Sequence, residues 1–276
     1  VSVLLGQPGG TFAAPVPVDG GPSPVAVALA DVNHDSRLDL VTINRDSNQV
    51  SVALGNGAGT FGPAASFAAG YHPVSVAVAD VSGDGNPDLV VVDSPQPENG
   101  ASATGAETGV VLLGNGKGSF TSLHQSALSF APNNVVLADV NGDGLLDLVV
   151  TGSSPASPGA PAAGMVSVLL ANGDGSFGTA QTFQVGSSVT ALAVADVNSD
   201  GKKDLVVTTS SGVAVLLNTT AQGSATPSFA APQAFAAGKY PGALAVADVN
   251  GDGQLDLVVG GSGGVDVLLN TTAPGA

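Results

Sequence analysis

The 276-residue chain has no cysteine, no tryptophan, a single methionine and only 6 Lys and Arg together. Without cysteine there can be no disulfide, no zinc thiolate site and no cysteine nucleophile. So few cations against 22 Asp and Glu leave a formal net charge of −16. No basic face exists for a phosphate backbone, which excludes nucleic acid as a partner and disfavours anionic membrane surfaces. Aromatic residues make up 4% and charged residues 10%. No stretch approaches the roughly 18 uninterrupted apolar residues of a membrane-spanning helix, because Gly and Asp interrupt every run, and membrane insertion is not expected. The sequence opens at Val1 inside a strand-like run, so any targeting segment is expected to have been removed.

Apolar residues are 43% of the chain, enough to bury a sizeable core. Glycine (39) and proline (18) together account for about one residue in five. That balance disfavours long helices and favours short strands joined by tight turns.

One unit is written five times. DVNHDSRLD at 31–39 recurs as DVSGDGNPD at 80–88, DVNGDGLLD at 139–147, DVNSDGKKD at 196–204 and DVNGDGQLD at 248–256. An alternating run (VAVALAD, VSVAVAD, ALAVAD) precedes each copy, and an apolar run (LDLVTI, PDLVVV, LDLVVT, KDLVVT, LDLVVG) follows it. VSVLLG-type strands recur at 1–6, 50–55, 110–114, 166–170, 213–217 and 265–269, and paired phenylalanines follow a glycine turn, as in Phe61 with Phe67, Phe177 with Phe183 and Phe229 with Phe235. Each repeat therefore reads as four short strands with no helical period. Four antiparallel strands in about 50 residues make a propeller blade, whereas sandwich domains need about 100. The expected fold is all-β, a propeller of four-stranded antiparallel blades, either a five-bladed ring or part of a larger one. A single domain over 1–276 is expected, with repeats at approximately 25–67, 74–128, 135–183, 189–235 and 243–269, and a partial repeat at 1–18 supplying closing strands. The strand count leaves one third strand to spare, so an unpaired edge open to self-association is also expected.

In each acidic loop, carboxylates or their amide or hydroxyl substitutes stand at positions 1, 3, 5 and 9, and position 6 is usually Gly. Hard oxygens at that spacing, with a backbone carbonyl at position 7, suit Ca2+. Histidine and thiolate, the transition-metal ligands, do not occupy these positions. The loops hold fifteen of the 22 acidic residues, and five Ca2+ would bring the charge from −16 to −6. The alternative is a metal-free Asx turn, in which Asp and Asn bond nearby backbone N–H groups. An EF-hand is rejected because position 12 is Thr42, Val91, Val150, Val207 or Val259 rather than an acid.

The D-x-N-x-D-G-x-x-D loops, the DLVV strands after them and the LGNGxGxF turns at 54–61 and 113–120, with a variant at 170–177, resemble the FG-GAP/VCBS repeat family found also in integrin alpha heads. The resemblance covers essentially the whole chain and implies an extracellular, secreted or cell-surface, calcium-stabilised propeller used for adhesion or ligand recognition, not catalysis. Carried over, it implies up to five Ca2+ sites. The first is Asp31, Asn33, Asp35 and Asp39; the second Asp80, Ser82, Asp84 and Asp88; the third Asp139, Asn141, Asp143 and Asp147. The fourth is Asp196, Asn198, Asp200 and Asp204, and the fifth Asp248, Asn250, Asp252 and Asp256. Carbonyls of Arg37, Asn86, Leu145, Lys202 and Gln254 complete the shells. Ser36 replaces the turn glycine of the first loop and Ser82 is a poorer ligand than Asn, so these two sites are expected to bind more weakly.

No other motif points to catalysis. His34, His72 and His124 fall at unrelated repeat positions, and no G-x-S-x-G elbow is present. LGNGAG at 54–59 lacks a following helix and a Lys-Ser/Thr, so it reads as a hairpin turn. NTT at 218–220 and 270–272 matches a glycosylation acceptor but reads as turn chemistry. Inserts at 94–107 and 152–164 are expected to be exposed loops. They share a sheet edge with Arg45, Tyr71, His72, Lys239 and Tyr240, the edge expected to take a protein or glycan ligand.

Overall fold

The computed structural model describes residues 1–94, 108–154 and 162–272. Most of the two inserts, and the side chain of His124, lie outside the described residues. The chain divides into two compact units, Val1–Ser126 and Ala127–Ala276. Every regular element among the described residues is a strand.

Unit 1 begins with four two-residue strands, β1 (Ser2–Val3), β2 (Gly6–Gln7), β3 (Thr11–Phe12) and β4 (Val16–Pro17), in which β1 pairs with β4 and β2 with β3. Two four-stranded sheets follow. The first is β5 (Pro24–Ala30), β6 (Asp39–Asn44), β7 (Gln49–Ala53) and β8 (Ala65–Ala68); the second is β9 (Pro73–Ala79), β10 (Asp88–Asp93), β11 (Thr108–Gly114) and β12 (Phe120–Ala127). Unit 2 carries β13 (Ala131–Ala138), β14 (Asp147–Ser153), β15 (Gly164–Leu169) and β16 (Gln181–Gly186), then β17 (Val189–Ala195), β18 (Asp204–Thr209), β19 (Gly212–Leu216) and β20 (Gln233–Phe235). Its last sheet has three strands, β21 (Pro241–Ala247), β22 (Asp256–Gly261) and β23 (Gly264–Leu268). All seven sheets pair antiparallel, and the five larger ones follow chain order.

The DLVV runs explain the stacking. A strand buried on both faces needs continuous apolar residues rather than alternation, and every residue of β6, β10 and β18 is buried. Sheet therefore packs on sheet. In unit 1, Val41, Ile43, Val50 and Val52 meet Leu89, Val91, Val110 and Leu112. In unit 2, Val149, Val166 and Val168 meet Leu205, Val207 and Leu216, and Val206, Val213 and Val215 meet Leu257 and Val259. Each such side chain contributes roughly 1.5–3 kcal/mol when fully buried.

The first strand of every larger sheet carries a register shift near its start or opposite it, as between Pro24 and Ala26, Val189 and Ala191, and Pro241 and Ala243. Such bulges bend a strand and re-aim the chain entering it. The other end of each first strand runs into an acidic loop, so the same hairpin recurs in five sheets.

Candidate acidic turn sites

Position 9 of each loop is the first residue of the second strand, and all five aspartates there, Asp39, Asp88, Asp147, Asp204 and Asp256, are 0% exposed. Each splits its two oxygens between two parts of the chain. Asp39 Oδ2 accepts from Val32 N–H at 2.9 Å and Oδ1 from Gly55 N–H at 2.8 Å. Asp88 takes Val81 and Gly114, Asp147 takes Val140 and Ala171, Asp204 takes Val197 and Asn218, and Asp256 takes Val249 and Asn270. The carboxylate thus ties its own loop to the exit of the third strand. Charge-assisted bonds of this kind are roughly twice as strong as neutral ones.

Positions 1 and 5 wrap the turn. Asp31 accepts from the N–H groups of Asn33, Asp35 and Ser36, and Asp80 from those of Gly83 and Gly85. Asp139, Asp196 and Asp248 repeat the pattern, ending on Gly144, Gly201 and Gly253 at 2.8–2.9 Å. Position 5 accepts from the position-7 N–H: Asp35 from Arg37, Asp84 from Asn86, Asp143 from Leu145, Asp200 from Lys202 and Asp252 from Gln254. The position-3 amide donates to the same carboxylate in four loops, from Asn33, Asn141, Asn198 and Asn250. In the second loop Ser82 has no amide, and the Nδ2 of Asn86 reaches Asp84 Oδ2 in its place at 3.1 Å.

Electrostatics follows burial. Desolvation pushes the Asp147 and Asp204 carboxyls above their ordinary range, and the like charges of Asp143 and Asp139, and of Asp200 and Asp196, push the same way against the N–H bonds. At the exposed rim the order reverses: the Gly253 N–H foremost holds Asp248 below its ordinary value, and the Asn86 N–H does so for Asp84. The donor set of each loop is oxygen throughout, which fits a hard divalent cation. An ionised carboxylate offers about four lone-pair sites, so the two bonds made by Asp35 and by Asp39 leave acceptor capacity at positions 5 and 9 of the first loop, whereas Asp31 and Asp248 at position 1 each face four backbone N–H groups. Among the described residues, no three His, Asp or Glu side chains are gathered as a ready metal cage.

The turn requires left-handed backbone at positions 4 and 6. Gly85, Gly144, Gly201 and Gly253 supply it at position 6, and Ser36 takes it with φ 64°. A side chain in that region costs on the order of 1 kcal/mol. Ser36→Gly is therefore expected to stabilise the protein by about 1 kcal/mol in urea unfolding. A loss of stability would show that the first loop does not need the left-handed turn.

The asparagines of the two N-T-T segments do more than close a turn. Asn218 is 2% exposed and its Nδ2 donates to Lys203 O in its own sheet and to Val140 O in the acidic loop of the preceding sheet, at 2.9 and 2.7 Å. Asn270 repeats this with Leu255 O and Val197 O. The NTT segments are thus clasps between neighbouring sheets of unit 2. The signal in the sequence is substitution at one repeat position, where Gly55, Gly114 and Ala171 stand in the other copies.

At the other sheet edge, Tyr71 stacks on His72 with ring centroids 4.3 Å apart and planes 16° apart. Tyr71 N–H donates to the buried Asp93 carboxylate and His72 N–H to Asn48 Oδ1. Tyr71 is 47% exposed, and in unit 2 Tyr240 is 76% exposed at φ 51°. Tyr240 therefore does not cap the core.

The FG-GAP-like repeat family matches residues 31–91, 101–150, 156–207 and 196–259. No curated protein matches the chain. Among solved structures, the fold is similar to that of an Agrocybe aegerita lectin described as specifically recognising non-reducing terminal N-acetylglucosamine. The identity is 23%, the TM-score 0.59, and the match covers 99% of this chain and 75% of that one.

Proposed function

Because the chain belongs to the FG-GAP-like repeat family and is built as propeller blades, we propose that it is a non-catalytic, extracellular recognition domain whose acidic turns hold Ca2+. The observation that carries this reading is the fivefold recurrence of an all-oxygen turn closed on a fully buried aspartate. A bound divalent cation would supply positive charge to the carboxylates at positions 1, 5 and 9 of each turn, whose like charges add to desolvation in pushing the Asp147 and Asp204 carboxyls upward. The chain's own residues do the rest. Positions 1 and 5 hold the turn shut, position 9 anchors it to the third strand, and Asn218 and Asn270 pass that anchorage to the neighbouring sheet. Binding energy then becomes folding energy.

Recognition is assigned to the edge opposite the acidic turns. A glycan is favoured as the ligand class by two observations: the likeness to the lectin fold, and exposed Tyr71 and Tyr240, whose rings offer stacking faces. A glycan array probed in calcium is expected to give sugar hits that weaken at least tenfold in Tyr240→Ala or Tyr71→Ala. An array without hits discards the glycan and leaves a protein ligand.

A further inference from the structure

The turn after the third strand of a sheet differs in length along the chain. The bridges Gly55–Phe61 and Ala171–Phe177 each close it in seven residues, whereas Asn218–Phe229 encloses twelve. The longer connection, between β19 and β20, is braced by its own bonds. Thr219 N–H donates to Ser228 O at 2.9 Å, Ser228 N–H to Thr220 Oγ1 at 2.9 Å and Ser224 N–H to Ala221 O at 3.0 Å. Within unit 2 it folds onto the third acidic turn, residues 139–147 of the preceding sheet. Val140 O accepts from Asn218 Nδ2 and Asn141 O from Gly223 N–H, both at 2.7 Å, and Gly142 O lies 3.5 Å from Gln222 Nε2. In return Asn141 Nδ2 donates to Ser224 O at 3.2 Å, and Asn141 is left 4% exposed.

We propose that residues 221–224 are a cover that positions Asn141 and slows the release of calcium from the third acidic turn, an inference that rests on the reading that these turns hold Ca2+. Asn141 can ligate only through Oδ1, because Nδ2 carries the hydrogens. That oxygen already faces the turn, accepting from Asp143 N–H at 3.1 Å. The Nδ2 group is divided between Asp143 Oδ2 at 2.9 Å, inside the turn, and Ser224 O, outside it. When Asp143 gives its oxygen to a cation, the buried amide therefore keeps an acceptor, and stripping a buried donor of its last acceptor is costly. Gly223 N–H meanwhile holds the Asn141 carbonyl from behind. In the first turn the Nδ2 of Asn33 donates to Asp35 alone among the described residues, and the seven-residue turn of the next sheet, 114–120, makes no hydrogen bond to it there. Groups that orient a metal ligand from behind change metal affinity by about 10–100-fold.

Calcium release into an excess of fluorescent chelator, followed by stopped flow on the full chain, tests the cover. Asp143→Ala and Asp35→Ala identify the phases of the third and first turns as the ones each removes. Ser36 by itself weakens the first turn, so the decisive comparison is the third turn with and without its cover. Gly223→Pro, which has no N–H to give, should speed the third-turn phase at least tenfold and leave the first-turn phase as it was. Deleting 221–225, which shortens the connection to the seven residues that suffice at 55–61, should do the same. A third-turn phase unchanged in both variants overturns the proposal, and so do two phases that accelerate together, because the connection then acts only on the stability of the whole. A chain that releases no calcium in any phase overturns the calcium reading itself, and the proposal with it.

Discussion

Asp147→Ala is expected to destabilise the protein by about 3 kcal/mol even in chelator, measured by urea unfolding. The substitution strands the Val140 and Ala171 N–H groups inside the structure. Hydrogen bonds to a charged group contribute about 1.5–3 kcal/mol each. Relief of the desolvation that raises this carboxyl's pKa offsets part of the sum. Asp143→Ala is the control. Its side chain is exposed and its donors, Leu145 N–H and Asn141 Nδ2, lie within its own loop. Without calcium it should cost a small fraction of the Asp147 effect, whereas both variants should lose calcium binding at that loop. Equal costs in chelator would mean that the buried carboxylate does not join loop to third strand.

Removing calcium should have the larger effect on the whole protein. At free calcium ten times the dissociation constant, each site contributes about 1.4 kcal/mol by mass action, and five sites together roughly 7 kcal/mol. Each kcal/mol moves the melting temperature of a chain this size by about 2–4 °C. Chelation should therefore lower the Tm by at least about 10 °C. Magnesium, which demands near-octahedral geometry and keeps its water, should restore little of the loss. A melt that ignores chelator would leave the Asx turns to hold the loops alone.

Much of this architecture is visible in the sequence because it depends on local spacing. Strand identity follows from runs such as DLVV, buried on both faces, and the loop from oxygens at fixed offsets. What stayed hidden depends on partners far along the chain. Asp88 takes its second donor from Gly114, 26 residues on, and Asn218 reaches back 78 residues to Val140. No local pattern encodes either bond. The asparagine in an N-T-T tripeptide even imitates a glycosylation signal while its amide is spent on two carbonyls. The first eighteen residues show the converse. VSVLLG reads as one strand, yet it is split between Ser2–Val3, which pairs with Val16–Pro17, and Gly6–Gln7, which pairs with Thr11–Phe12. Ser82 lacks the amide that position 3 supplies in the other loops, and the amide that donates to Asp84 in its place belongs to Asn86, four residues later in the same loop.

The most direct measurement is an anomalous difference map from crystals grown in calcium. The account predicts a peak in each of the five acidic turns, between the position-1, position-5 and position-9 carboxylates. Turns empty of anomalous density at saturating calcium, with the same hydrogen bonds intact, would contradict it.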